Sequence, residues 1–151
     1  MRFKGSEQGC GCYTGRRVGF SPGRVVLLVE DDRVGRQLFA ALLENAGYQV
    51  VEAHNGLQAL ERAVDLRPDI VVTDLNIPGI DGYELTRRLK SDPRTDAIPI
   101  LAVTGYVAFT REPGRAERAG CNAILPKPCS AEDLEHAIQS LIEEARRPRS
   151  A

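Results

Sequence analysis

The sequence predicts a doubly wound α/β fold: a five-stranded parallel sheet in the order 2-1-3-4-5 with helices on both faces. Three observations carry this. Short runs rich in Val, Ile and Leu alternate with stretches of helical periodicity. The alternation repeats five times between Arg24 and Ala145 with short connections, which calls for parallel strands covered on both sides. Finally, reactive polar groups follow separate apolar runs: Glu30-Asp31-Asp32, then Asp74, Thr104 and Lys127-Pro128. A parallel sheet gathers such groups at one edge, where open α/β sheets place their chemistry.

Taken in order, Val25 to Val29 is the first strand. Its helix carries Val34, Leu38, Ala41 and Leu42 on one face and stops at Gly47. Gln49 to Ala53 is the second strand, and Asn55 caps a helix with Leu57, Leu60, Ala63 and Val64 on one face. Ile70 to Thr73 is the third strand, followed by a turn, a helix entry at Asp81-Gly82 and a helix to about Lys90. Ile98 to Val103 is the fourth. A helix within Val107 to Ala119 is interrupted by Pro113-Gly114. Ala123 to Leu125 is the fifth strand. Ser130 to Asp133 has the form of a capping box, opening a helix with Leu134, Ile138, Leu141 and Ala145 on one face. Crossovers are expected to be right-handed, giving the flavodoxin-like topology.

The chain of 151 residues is expected to be one domain, residues 24–145, between a mobile tail at 1–23 and a frayed basic end at 146–151. With 42% hydrophobic and 27% charged residues the balance is that of a soluble globular protein. A net charge of −1 gives no field for nucleic acid or an anionic membrane, and no apolar run is long enough to span a bilayer. Met1 to Ser21 lacks the apolar core of a secretory signal. Cys10-Gly11-Cys12 lacks the second pair or nearby His of a thiolate metal site, so Cys10, Cys12, Cys121 and Cys129 read as reduced thiols in the cytoplasm. His54 reads as a loop residue and His136 as a surface residue. Cys121 and Cys129 read as small packing residues.

Gathering Glu30, Asp31 and Asp74 sets like charges against one another, at roughly 1 to 4 kcal/mol per pair about 4 Å apart. A cation must offset this. Oxygen-only ligands favour a hard ion such as Mg²⁺, and Lys127 adds a compact positive charge. A carboxylate nucleophile beside such charges suits phosphoryl transfer, in which Asp attacks phosphorus. The Thr104 hydroxyl can hydrogen-bond a phosphoryl oxygen.

Val25 to Asp32, Asp74 to Gly82, Ala102 to Gly105 and Leu125 to Pro128, in that order, resemble the receiver domain of bacterial two-component response regulators. The resemblance covers about Arg24 to Ala145. It implies that Asp74 is the phosphoacceptor, that Asp31 binds Mg²⁺ directly and Glu30 through water, and that the backbone carbonyl of Asn76 completes the protein ligands. It implies that Thr104 and Lys127 contact the phosphoryl group and that Lys127-Pro128 is cis. The partners it implies are a sensor histidine kinase or a histidine phosphotransfer protein as donor, and a downstream protein target. Its chemistry is self-catalysed phosphotransfer and autodephosphorylation, not turnover of a separate substrate.

Two departures stand out. Ile124 occupies the place of the family's aromatic switch residue, and Pro113-Gly114 breaks the fourth helix. Tyr106 is either a cover over the site mouth or a surface aromatic. No output region follows Ala145 in this sequence, so the expected output is a protein contact or onward relay. Two rivals remain at this level. A receiver-like binding module would work without phosphorylation. A haloacid-dehalogenase-like phosphohydrolase would need an acid two places after the nucleophile, where Asn76 stands.

Overall fold

A computed structural model describes residues 23–105 and 114–147 of the chain. The expected tail, apart from Gly23, and Tyr106 lie outside these residues, as do Cys10 and Cys12.

Strands β1 (Val25–Val29), β2 (Gln49–Ala53), β3 (Ile70–Thr73), β4 (Ile100–Gly105) and β5 (Ala123–Lys127) form one parallel sheet in the order β2-β1-β3-β4-β5. The helices are α1 (Arg33–Asn45), α2 (Gly56–Leu66), α3 (Gly82–Ser91), α4 (Arg115–Ala119) and α5 (Ala131–Arg146). Side chains alternate across each strand. Val26, Leu28, Ile70, Val72, Leu101 and Val103 meet α1 and α5 through Leu43, Leu134 and Ile138. Leu27, Val29, Val71, Ile100 and Ala102 meet α2, α3 and α4 through Ala59, Ala63, Leu85, Leu89 and Ala116. The fold is the expected doubly wound, flavodoxin-like one.

Local chemistry sets the helix entries. Asp32, Asn55, Asp81 and Ser130 each accept the main-chain N–H three residues on, satisfying a donor that the first turn leaves open. Gly47, at φ +102, follows α1 where a left-handed residue is needed.

Several details differ from the sequence reading. The α1 face was expected to bury Val34, Leu38, Ala41 and Leu42, yet Val34 is 72% and Leu38 58% exposed, while Ala40 and Leu43 are buried. This helix carries apolar residues on two stripes, and periodicity alone does not say which one meets the sheet. In α2 the buried residues are Gly56, Ala59 and Ala63, and Leu57 is exposed. In α5, Ile142 is buried and Ala145 exposed. β4 begins at Ile100, two residues later than expected, because Pro99 has no N–H to give to a ladder. β5 runs on through Pro126 to Lys127, an arrangement open to an edge strand. Arg146 belongs to the last helix and not to a frayed end.

Candidate functional site

Adjacent strands in register bring the sequence-distant polar groups to one edge. Glu30 follows β1, which lies between β2 and β3, and its N–H donates to Ala53 O at 3.1 Å. Asp74 follows β3, and its N–H donates to Val29 O at 3.1 Å. Thr104 is the penultimate residue of β4 and Lys127 the last of β5, where Gly105 is paired with Lys127. All four stand at the carboxyl ends of their strands, around the β1/β3 boundary at which the connections change sides of the sheet.

The centre of the cluster is the Lys127 ammonium. Its Nζ donates to Asp74 Oδ2 at 2.8 Å and to Glu30 Oε1 at 3.0 Å. Asp74 Oδ1 accepts the Asn76 N–H at 3.0 Å, and Glu30 Oε2 accepts the Asp32 N–H at 3.3 Å. Glu30 is 4% exposed, and burial pushes its carboxyl above the ordinary 4.5; the Asp74 charge adds to the rise while Lys127 opposes it. Burial would lower the Lys127 ammonium, but hydrogen bonds from it to Asp74 and Glu30 outweigh that, and the net shift is upward. The Lys127-Pro128 peptide is cis.

Asp31 is exposed beside this pair, and Asp32 is committed to capping α1. Among the described residues, no three His, Cys, Asp or Glu side chains stand together as a group that would hold a metal. The cation inside the cluster is Lys127 itself. The donor chemistry nevertheless fits a hard ion, since the Glu30 and Asp74 carboxylates meet at Lys127 and Asp31, next to Glu30 in the chain, is exposed and offers a further oxygen donor. Thr104 Oγ1 is buried with no hydrogen-bond partner among the described residues. Such an atom costs free energy unless a ligand meets it, so it marks a place where an acceptor belongs.

Gly82 sets how closely α3 approaches Asp74. A Cβ there would lie 2.5 Å from Asp74 O and 2.6 Å from Leu75 Cα, closer than real contacts allow. The Asp81-Gly82 entry therefore does more than make a turn. Ile124, in the aromatic position, is half-buried and packs against the α2–α3–α4 side of the core. His54 and His136 are exposed, Cys121 is buried and Cys129 half-buried.

The sequence reading did not pick out Arg36 and Glu52. Arg36 Nη1 donates to the carbonyl of Glu30 at 2.8 Å and to that of Asp31 at 3.4 Å, while its Nε donates to Glu52 Oε1 at 3.0 Å. An Arg in the first turn of a helix and a Glu on a strand give no signal of this pairing until β1 and β2 are placed side by side.

The model of the response regulator receiver domain matches residues 26–139. The chain belongs to the response regulator receiver domain family. As a receiver, it is similar to the polar-differentiation response regulator DivK of Brucella anthropi, with 36% identity over 120 residues, covering 80% of this chain and 97% of that one. Among solved structures it is similar to the receiver domain of the sensor histidine kinase PA1611 of Pseudomonas aeruginosa, with 32% identity and a TM-score of 0.74, covering 80% of this chain and 98% of that one. That structure holds a magnesium ion coordinated in its active site cleft. It is also similar to the chemotaxis response regulator CheY4 of Vibrio cholerae, with 28% identity and a TM-score of 0.73, covering 79% of this chain and 98% of that one. Receivers of this kind are signalling switches of two-component systems, a class that works with sensor histidine kinases and downstream targets. Among the described residues no helix is long and apolar enough to cross a membrane.

Proposed function

We propose that the unit spanning residues 24–145 is a phosphorylation-controlled protein switch in the cytoplasm. It accepts a phosphoryl group on Asp74 from a phosphohistidine of a sensor kinase or a histidine phosphotransfer protein. An Asp74 carboxylate oxygen attacks phosphorus, the bond from phosphorus to the imidazole nitrogen breaks, and the imidazole leaves with the electron pair. The product is an aspartyl phosphate, which either changes affinity for a downstream protein or passes the group onward.

The observation that carries this reading is the convergence of Asp74, Lys127 and the partnerless buried Thr104 hydroxyl on the same sheet edge. Mg²⁺, held by Glu30, Asp31, Asp74 and the Asn76 backbone carbonyl, would supply positive charge against the phosphoryl oxygens. Lys127 would supply more, moving from carboxylate to phosphoryl oxygen. The Thr104 O–H would donate to a third oxygen and so gain the partner it lacks. Asn76 gives its backbone N–H to Asp74, and its carboxamide is not acidic enough to protonate a leaving group, which disfavours repeated hydrolysis of phosphomonoesters.

Incubation with acetyl phosphate and Mg²⁺, read by intact mass, tests this. One added phosphoryl group is expected on the wild type and none on Asp74→Asn. Equal labelling of the variant, or none of the wild type, would overturn it.

A further inference from the structure

We propose that Arg36 is a positioning residue for divalent-cation binding, acting through the main chain of the acidic loop. The proposal rests on the function proposed above and adds a residue to its machinery.

The Glu30 and Asp31 side chains are mounted on the peptide units that leave β1. Arg36 takes hold of those units directly, its Nη1 2.8 Å from Glu30 O and 3.4 Å from Asp31 O. The other edge of the guanidinium is fixed, because Nε donates to Glu52 Oε1 at 3.0 Å. Glu52 sits on β2 in register with Leu28 of β1, so the anchor is part of the sheet. The Glu30 N–H adds a second tie to β2 through Ala53 O. The loop is thus held from its carbonyl side by an arginine and from its amide side by a strand.

Placement argues against a merely decorative ion pair. The Arg36 side chain is only 11% exposed, unlike the solvated arginines of α3. It lies in the first turn of α1, where the helix dipole disfavours a cation, and the acidic N-cap there, Asp32, is engaged by the Gly35 N–H. The guanidinium is planar with donors on two edges, which is what lets one side chain serve Glu52 and the carbonyls together. A lysine has a single donor centre and would have to choose.

Partners that orient metal ligands without touching the metal commonly change affinity by about 10- to 100-fold when removed. Arg36→Met, which keeps the apolar stem, is therefore expected to raise the Mg²⁺ dissociation constant by about 10- to 100-fold. Acetyl-phosphate labelling should need correspondingly more Mg²⁺ for half its maximal rate and should recover the wild-type rate at saturation. Arg36→Lys should fall between the two.

Mg²⁺ titration followed by calorimetry, beside labelling rates across Mg²⁺ concentrations and thermal unfolding, makes the test on the full chain. A lowered unfolding temperature with unchanged Mg²⁺ affinity in Arg36→Met would reduce the residue to a structural role and overturn the proposal. Wild-type affinity in Arg36→Lys would overturn the two-edged geometry, whether or not Arg36→Met folds. A wild type that neither binds Mg²⁺ nor labels would instead overturn the function on which the proposal stands.

Discussion

Lys127 at the end of β5 and Asp74 just after β3 are joined by a 2.8 Å ion pair in which the ammonium also holds Glu30. The lysine thus neutralises two carboxylates that would otherwise face each other. Lys127→Met should lower stability in metal-free buffer by about 1.5 to 3 kcal/mol, the usual worth of a charged hydrogen bond. Added Mg²⁺ should then raise the unfolding temperature of the variant more than that of the wild type, because a second cation takes over the neutralisation. Thermal unfolding in EDTA and in Mg²⁺ reads both effects. Equal Mg²⁺ shifts would contradict the assignment.

Thr104 makes a prediction of the opposite sign. Its hydroxyl is buried without a partner among the described residues, so Thr104→Val, nearly the same shape, should leave the unphosphorylated protein as stable as the wild type or more stable by about 1 kcal/mol. The same variant should respond weakly to beryllofluoride, a phosphoryl mimic. Urea unfolding measures the first effect and amide hydrogen exchange the second. A loss of more than about 1 kcal/mol would show that the hydroxyl already has a partner.

Gly82 should tolerate no side chain. Gly82→Ala must push α3 away from Asp74 O and Leu75 Cα, at a cost of about 1 to 3 kcal/mol for overpacking, and slow labelling of Asp74 in the protein that stays folded. Calorimetric unfolding together with acetyl-phosphate labelling checks it. A variant with wild-type stability would show that the helix entry has room to spare.

The exposed stripe of α1 can be told from the buried one. Val34→Ser and Leu38→Ser should each change stability by no more than about 0.5 kcal/mol, whereas Leu43→Ala should cost about 2 to 5 kcal/mol. Urea midpoints of the three variants decide between the two faces.

Acid titration should separate two carboxylates by sign. Arg94 holds the Asp92 carboxyl down, through side-chain hydrogen bonds first and then its N–H, from 3.8 to about 2. The contribution of Asp92 is present above 3.8 and is lost as pH falls through about 2. Burial raises Glu30, so its contribution is present below 4.5 and is lost as pH rises through the higher folded value. In metal-free buffer, stability relative to Glu30→Gln should therefore move in favour of the wild type on acidification from about pH 7 to about pH 4. Unfolding midpoints over that range, with a carboxyl NMR titration of Asp92, test both. The Asp92 midpoint should return toward 3.8 in Arg94→Ala.

Much of this was legible in the residues. The strands announce themselves because a sheet buried on both faces needs continuous Val, Ile and Leu, and Asp74, Thr104 and Lys127 are found at the ends of such runs. Two of the four helix caps were equally open to view, Asn55 and Ser130, where the capping atom is three residues from its donor. What was hidden depends on neighbours distant in the chain. The burial of Leu43 in preference to Leu38 is decided by where α1 lands on the sheet. The grip of Arg36 on the acidic loop needs Glu52 from another strand. The close approach at Gly82 is a property of two backbones, and no side-chain pattern reports it.

The ties from Lys127 span 97 residues to Glu30 and 53 to Asp74. At ribosomal speeds of about 5–20 residues per second, the acids precede their ammonium by roughly 5–20 s for Glu30. During that interval the emerging chain carries the acids without the ammonium that pairs with them in the folded protein. Lys127 is also borne on the outermost strand, which rests on β4 alone within the sheet. The site is thus completed by the last strand to be synthesised. An unfinished copy lacks the lysine proposed to engage the phosphoryl group, so on that reading signalling competence arrives together with completion of the sheet.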